Sequence, residues 1–477
     1  VTELLKPDLC VIGAGAGGLS AAAIAASFGV SAVLVEQDRM GGAYLNRGCV
    51  PSTALLAAAH RLHAIREASR FGLETKGEAT DFSRVMAHVR GVVERIEPLN
   101  STERFTAIGA RVIHAPGRFI DAATVVAGGF EIKARHFILA TGSRPEEPTI
   151  PGLDGVPHLT TDTIFDLAEA PEHLIVLGAG AYAVEFAQAF RRLGARVTLV
   201  DAASRILPQE DPEMAAVIAR ALEADGVTLR LGSGAEKVEA VSGGGLLLHP
   251  GDGLSIAGSH LLVVTERRPV TESLGLEAAR IKTDDSGIVV DRGLKTSNHR
   301  VYAIGDCAGG AARAGHLSHV ANHQAGLVLR NALFHLPVSI DNIPIPRVIQ
   351  TDPELAIVGL SEEEARAIYR TIRILRWPLA ENDRARAEHA TEGFIKAIAT
   401  PRGQVLGCAI VGAHAGELIS PWTLAIAHNL KISDLAGLVF PYPTFSEVTK
   451  RAAVEFVKPT TQSPWVRRFI GLARIFG

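Results

Sequence analysis

The sequence predicts an α/β protein with two Rossmann-like dinucleotide-binding domains, and two stretches carry that expectation. The first runs as strand Leu9 to Ile12, turn Gly13-Ala14-Gly15-Ala16-Gly17-Gly18, helix Leu19 to Phe28, strand Ser31 to Val35 and acid Glu36. The second repeats it: Leu174 to Leu177, Gly178-Ala179-Gly180-Ala181-Tyr182-Ala183, a helix through Leu193, Arg196 to Val200 and Asp201. The spacing from first glycine to acid is the same in both. Glycines allow the tight turn and close approach to a pyrophosphate, the helix N-terminus favours the anion, and the acid accepts from a ribose hydroxyl. Ala183 stands for the third glycine, and its methyl group still permits close packing. Such a duplication places two dinucleotide sites in one chain, as electron transfer between two carriers requires.

A chain of 477 residues exceeds what one core supports, and 47% hydrophobic with 21% charged residues describes an ordinary globular protein. A net charge of -3 offers no general attraction to nucleic acid. Cys10, Cys49, Cys307 and Cys408 are far apart and form no CxxC, so neither a disulfide scaffold nor a zinc site is expected. His60 and His63 lack a third ligand, and no metal site is assigned to them. A reducing cytoplasm is the simplest compartment. With Asp8 just before the first strand, no hydrophobic leader is expected, and no apolar run of transmembrane length is expected either.

Between the first unit and the next long helix lies Gly41-Gly42-Ala43-Tyr44-Leu45-Asn46-Arg47-Gly48-Cys49-Val50-Pro51-Ser52-Thr53. Gly41 and Gly42 can bring backbone amides against phosphate oxygens. Cys49 arrives just before a helix, whose unpaired N–H groups favour a thiolate. A small buried cysteine is the competing reading. Further on, Arg111 to Phe119, Thr124 to Val126 and Phe130 to Ile132 suggest a meander. Pro145, Pro148 and Pro151 suggest an extended linker, and Arg267 and Arg268 suit solvated positions.

The Gly41 to Thr53 segment resembles the active-site segment of the flavoprotein disulfide reductases, Gly-Gly-Thr-Cys-Leu-Asn-x-Gly-Cys-x-Pro-Ser-Lys. In that family the two cysteines form a redox disulfide beside the flavin. Here Cys49 keeps the flavin-side position, Tyr44 replaces its partner, and Thr53 replaces the closing lysine. The resemblance implies that Gly13, Gly15, Gly18, Glu36, Gly41 and Gly42 bind FAD, joined by Thr141, Gly142 and Asp306. Physics alone would allow NAD in that first pocket. It implies a nicotinamide site at Gly178, Gly180, Ala183 and Asp201, with Glu185 beside the two rings. An exposed helical glutamate is the bland alternative for Glu185.

The resemblance also implies an FAD domain at 1–147 and 271–342, an NAD(P) domain at 148–270, and an α+β dimerisation domain at 343–458, hence a homodimer. In the last domain Phe440-Pro441-Tyr442-Pro443-Thr444-Phe445-Ser446-Glu447 aligns with His-Pro-Thr-x-Ser-Glu, so Tyr442 replaces the proton-shuttling histidine and Glu447 keeps its orienter's position. A neutral phenol is a poor shuttle near pH 7. Mercuric reductases share such a tyrosine, but this sequence has no cysteine after Cys408 to hand over a soft metal.

Asp201 would repel a 2'-phosphate, so NADH is expected over NADPH, although Arg205 follows closely. With both nucleotide sites kept and the thiol relay lost, the leading expectation is a diaphorase or quinone reductase passing electrons directly from flavin to a small acceptor. A single-cysteine reductase of thiol, peroxide, persulfide or disulfide acceptors through Cys49 is the alternative, and a non-catalytic FAD-bearing redox sensor is the second. The tail at 459–477 places Trp465, Phe469, Leu472, Ala473 and Phe476 near helical spacing beside arginines. It suggests peripheral contact at the inner face of a membrane; docking on the dimer and a disordered end are the competing readings.

Overall fold

The computed structural model describes residues 3–74, 80–312, 315–341, 343–461 and 464–475. The chain forms two compact units, one made of Val1–Gly178, Arg192–Arg196 and Ala235–Asp341, the other of Ala179–Arg191, Val197–Gly234 and Asn342–Gly477. The architecture is α/β, with Rossmann-type parallel strands and a distinct C-terminal domain.

The first unit is built on a five-stranded parallel sheet in the order Val301–Ala303, His136–Leu139, Leu9–Ile12, Ala32–Glu36, Ala110–His114. Leu9, Cys10, Val11 and Ile12 are all buried, as a strand covered on both faces demands. Helices Ala16–Ser27 and Ser318–Phe334 pack together, and Cys49–Arg66 packs on Phe82–Ile96. Asp81 caps the last of these by accepting from the Arg84 N–H at 3.2 Å. The meander is narrower than expected. Ala110–His114 joins the parallel sheet and Pro116 and Gly117 break the run, so the antiparallel meander consists of Arg118–Asp121, Thr124–Ala127 and Phe130–Ile132.

Two further expectations are corrected in this unit. Ser143–Glu146 is not a bare linker but pairs antiparallel with Glu266–Pro269. Proline is tolerated there because a two-stranded ribbon is all edge. Arg267, on the partner strand, is not solvated: its guanidinium is largely buried, bonded to the Ser143 carbonyl at 2.9 Å and to Asp162 at 3.0 Å.

In the second unit, Thr198 to Asp201 pair in parallel with Thr228–Leu231. The C-terminal portion is an antiparallel sheet in the order Arg347–Ile349, Glu354–Gly359, Val405–Gly412, Phe394–Ala399, Arg373–Pro378. Its core includes fully buried Trp422, whose indole N–H donates to Thr449 at 3.3 Å.

Three carboxylates from distant stretches of this unit converge on Lys396, which is 3% exposed: Asp211 at 2.7 Å, Glu213 at 2.8 Å and Glu362 at 2.7 Å. Asp211 also caps helix Pro212–Asp225 with its other oxygen, accepting from the Glu213 N–H at 2.8 Å. Hydrogen bonds from Arg376 and then Lys396 pull the Glu213 carboxyl down to about 2. Its contribution to stability is therefore complete above the usual 4.5 and is lost as pH falls toward about 2. Lys396→Met removes a buried partner that all three acids share, and a loss of about 3–5 kcal/mol is expected in urea unfolding at pH 7. The penalty should be smaller in the same titration at pH 3, between about 2 and the usual 4.5 for Glu213, where that carboxylate's contribution is already partly lost.

Candidate functional site

A cavity of about 420 Å³ opens in the first unit, walled by residues that follow the carboxyl ends of the parallel strands. Gly13, Glu36, Ala115, Ala140 and Ile304 each continue from one of these strands, the usual place for a ligand in an open α/β sheet. Gly13 turns at φ +102°, where a Cβ would meet the Ala140 carbonyl oxygen at 2.4 Å. A Cβ on Gly15 would meet nothing within 4 Å, so bare backbone fronts the cavity. Gly42, at φ +56°, packs on Gly15 so closely that a Cβ would lie 2.7 Å from its Cα. Gly18 and Gly41 support the cradle from behind. A Cβ on Gly18 would fall 1.8 Å from the Gly13 carbonyl oxygen, and the Gly41 N–H donates to the Ala14 carbonyl at 3.0 Å.

The Glu36 carboxylate is held by the N–H groups of Ala14 at 2.6 Å and Asp38 at 2.8 Å. Across the cavity, Thr141 donates to the Val270 carbonyl at 2.6 Å, and Gly142 turns at φ +72°. Asp306 accepts through Oδ2 from the Ser143 hydroxyl at 2.7 Å and lies 3.0 Å from His316 Nδ1. Burial pulls this carboxyl upward, but the bonds from His316 and Ser143 and the charge of Arg267 outweigh it and leave it low. Bare glycine backbone for a pyrophosphate and carboxylates at both ends for sugar hydroxyls fit an FAD molecule. Motif reading missed Ser143, His316 and Arg267. Ser143 directly follows Thr141 and Gly142, whereas His316 stands in a Gly- and Ala-rich run with no signal of its own.

Cys49 is the first residue of helix Cys49–Arg66 and is exposed. Its Sγ lies 3.4 Å from the Ser318 hydroxyl, and Ser318 is part of the cavity wall. Tyr44 is on the wall too, in helix Gly42–Asn46, and its hydroxyl donates to Asn100 at 2.6 Å. Burial raises its pKa, so the phenol is neutral near pH 7. Cys10, Cys307 and Cys408 are buried, and all four cysteines are free thiols.

Gly178, at φ +128°, ends the stretch after strand His173–Leu177. In the second unit Gly180 precedes helix Ala181–Arg192, Ala183 is fully buried, and Asp201 accepts from the Ala203 N–H at 2.7 Å. The Arg205 guanidinium donates to the carbonyls of Leu207 at 2.7 Å and Pro208 at 2.5 Å. Glu185 is buried, not exposed, and accepts from the Gln350 N–H at 2.7 Å; burial lifts its carboxyl to about 7.

Tyr442, 66% exposed, donates to Asp383 at 2.9 Å, and that bond raises its pKa. Glu447 begins helix Glu447–Thr461 and pairs with Arg451 at 3.0 Å. The hydroxyl of Tyr442 is thus oriented by Asp383 rather than by Glu447.

Residues 7–325 match the pyridine nucleotide-disulphide oxidoreductase family and residues 345–453 its dimerisation domain, which supports a homodimer. The chain is 36% identical over 459 residues to a mercuric reductase of Streptomyces lividans, covering 94% of this chain and 96% of that protein. It is 36% identical over 465 residues to a dihydrolipoyl dehydrogenase of Thermus scotoductus, with the same coverage of 94% and 96%. Among solved structures, LpdA of Mycobacterium tuberculosis superposes with a TM-score of 0.86 at 28% identity, covering 94% of this chain and 99% of that one. The HOCl-induced flavoprotein disulfide reductase RclA of Escherichia coli gives 0.84 at 28% identity, again covering 94% and 99%. With both nucleotide-binding stretches, the glycine cradle and the C-terminal domain accounted for, the chain belongs to the pyridine nucleotide-disulphide oxidoreductases and is an FAD- and NAD(P)-dependent oxidoreductase.

Proposed function

We propose that this enzyme uses NAD(P)H to reduce a small sulfur-reactive acceptor, a low-molecular-weight disulfide or a peroxide, through Cys49 alone. The observation that carries this reading is an exposed thiol at a helix N-terminus, 3.4 Å from the wall residue Ser318, with every other cysteine buried. Relatives named for disulfide, lipoyl and mercuric substrates support it. Bound FAD supplies the two-electron link between the nicotinamide and the acceptor. With a disulfide, the Cys49 thiolate attacks one sulfur, forms a mixed disulfide and releases one thiolate. Two electrons from NAD(P)H then break that bond, freeing the second thiol and restoring Cys49, with protons drawn from solvent. No second cysteine is needed, because the electrons resolve the mixed disulfide.

Direct transfer from flavin to a quinone, placed first on sequence grounds, is the second reading. Tyr44 and Tyr442 favour it, since neither phenol can replace a thiol or an imidazole at neutral pH. Cys49→Ser separates the two in steady-state assays. At least a hundredfold loss in NADH-dependent disulfide or peroxide reduction, with menadione reduction within about twofold of wild type, is expected on the basis that thiolate attack makes the first bond. Unchanged disulfide and peroxide turnover would leave the direct route standing.

The nicotinamide preference rests on Asp201. Arg205, the residue that could accommodate a 2'-phosphate, already spends two donors on the carbonyls of Leu207 and Pro208. NADH is therefore the proposed donor. Asp201→Ala should lower kcat/KM for NADH by about tenfold and narrow its ratio to that for NADPH, the loss expected for one hydrogen bond to a charged group.

No helix among the described residues is long and apolar enough to cross a membrane. Helix Pro464–Ala473 nevertheless exposes Trp465, Phe469, Ile470 and Leu472, with Arg468 beside them; Phe476 lies outside the described residues. That composition supports peripheral contact of a cytoplasmic enzyme with an anionic bilayer. Removing residues 460–477 should abolish co-sedimentation with phosphatidylglycerol vesicles while leaving NADH oxidation in solution unchanged.

A further inference from the structure

Outside the glycine motifs, the cavity wall carries a second group of side chains centred on Asp306. His316 stands in the left-handed region at φ +61°, just before helix Ser318–Phe334, and lines the cavity. Its Nδ1 lies 3.0 Å from Asp306 Oδ2. An ionised carboxylate can only accept, so Nδ1 carries the proton. The Ser143 hydroxyl donates to the same oxygen at 2.7 Å, and Arg267 Nε donates to that hydroxyl at 3.0 Å, which leaves the serine proton for Asp306. Both bonds therefore converge on Oδ2. Among the described residues none reaches Oδ1.

We infer that His316 is a positioning residue for the flavin: together with Ser143 it fixes the Asp306 carboxylate by Oδ2 and leaves Oδ1 to accept from a hydroxyl of the bound dinucleotide. The inference rests on reading this cavity as the FAD site. A carboxylate anchored at one oxygen loses little rotamer freedom when its other oxygen takes a ligand, so affinity depends on the anchor. His316 acts only through Asp306, and that dependence separates it from a side chain that merely fills space.

The test is FAD affinity, measured by flavin fluorescence on the full-length protein stripped of FAD and titrated back. His316→Ala should weaken binding by about tenfold, the effect of one charge-assisted hydrogen bond. His316→Asn keeps a donor near the place of Nδ1 and should stay within about threefold of wild type. In an Asp306→Asn background, His316→Ala should change nothing further. Equal affinity of wild type and His316→Ala, or an undiminished loss in the Asp306→Asn background, would overturn the inference. If wild type itself binds no FAD, the cavity reading falls as well, a result the variants cannot mimic. Circular dichroism of the stripped proteins checks folding. Should His316→Ala not fold, Ser143→Ala takes its place in the same cycle: weaker binding that vanishes in the Asp306→Asn background supports the anchor, and unchanged binding overturns it.

Discussion

The most demanding constraint in this protein is steric. A side chain on Gly18 would overlap the Gly13 carbonyl, and one on Gly13 or Gly42 would strike the backbone opposite. Helix Ala16–Ser27 can approach its strand only because those atoms are missing, and the same approach aims its first N–H groups at the cavity. Glu36 then locks the turn by binding Ala14 and Asp38 with its two oxygens. The placement of these cavity walls follows from this close packing.

Residues with redox or protonic chemistry are sparse in each unit. In the first, Cys49 is the thiol open to solvent and the Tyr44 phenol lines the cavity; in the second, Tyr442 is exposed and Glu185 is buried with its carboxyl raised to about 7. All four cysteines are free thiols, and the route proposed above through Cys49 alone suits a small acceptor better than a protein disulfide.

Much of the first unit was legible because its signals are local. Glycines, a helix and an acid within one βαβ stretch state their own geometry, and the structure has the parallel strands where those signals put them. What stayed hidden depends on partners far apart in sequence. Arg267 looked solvated until strand pairing brought Ser143 and Asp162 to it. Pro145 argued against a strand by a rule that holds for sheet interiors and lapses at an edge. Tyr442 found Asp383 rather than its near neighbour Glu447 because the phenol turns outward. His316 had no motif around it at all.

Lys396 has a consequence of its own. It joins the start of helix Pro212–Asp225 to the antiparallel sheet, two pieces of the second unit separated by more than a hundred residues of chain. Opening either piece alone would take carboxylate partners away from the buried Lys396 ammonium. Local fraying is therefore suppressed on both sides of the knot, and amide protons in the two segments should share one protection class, as members of a single cooperative block.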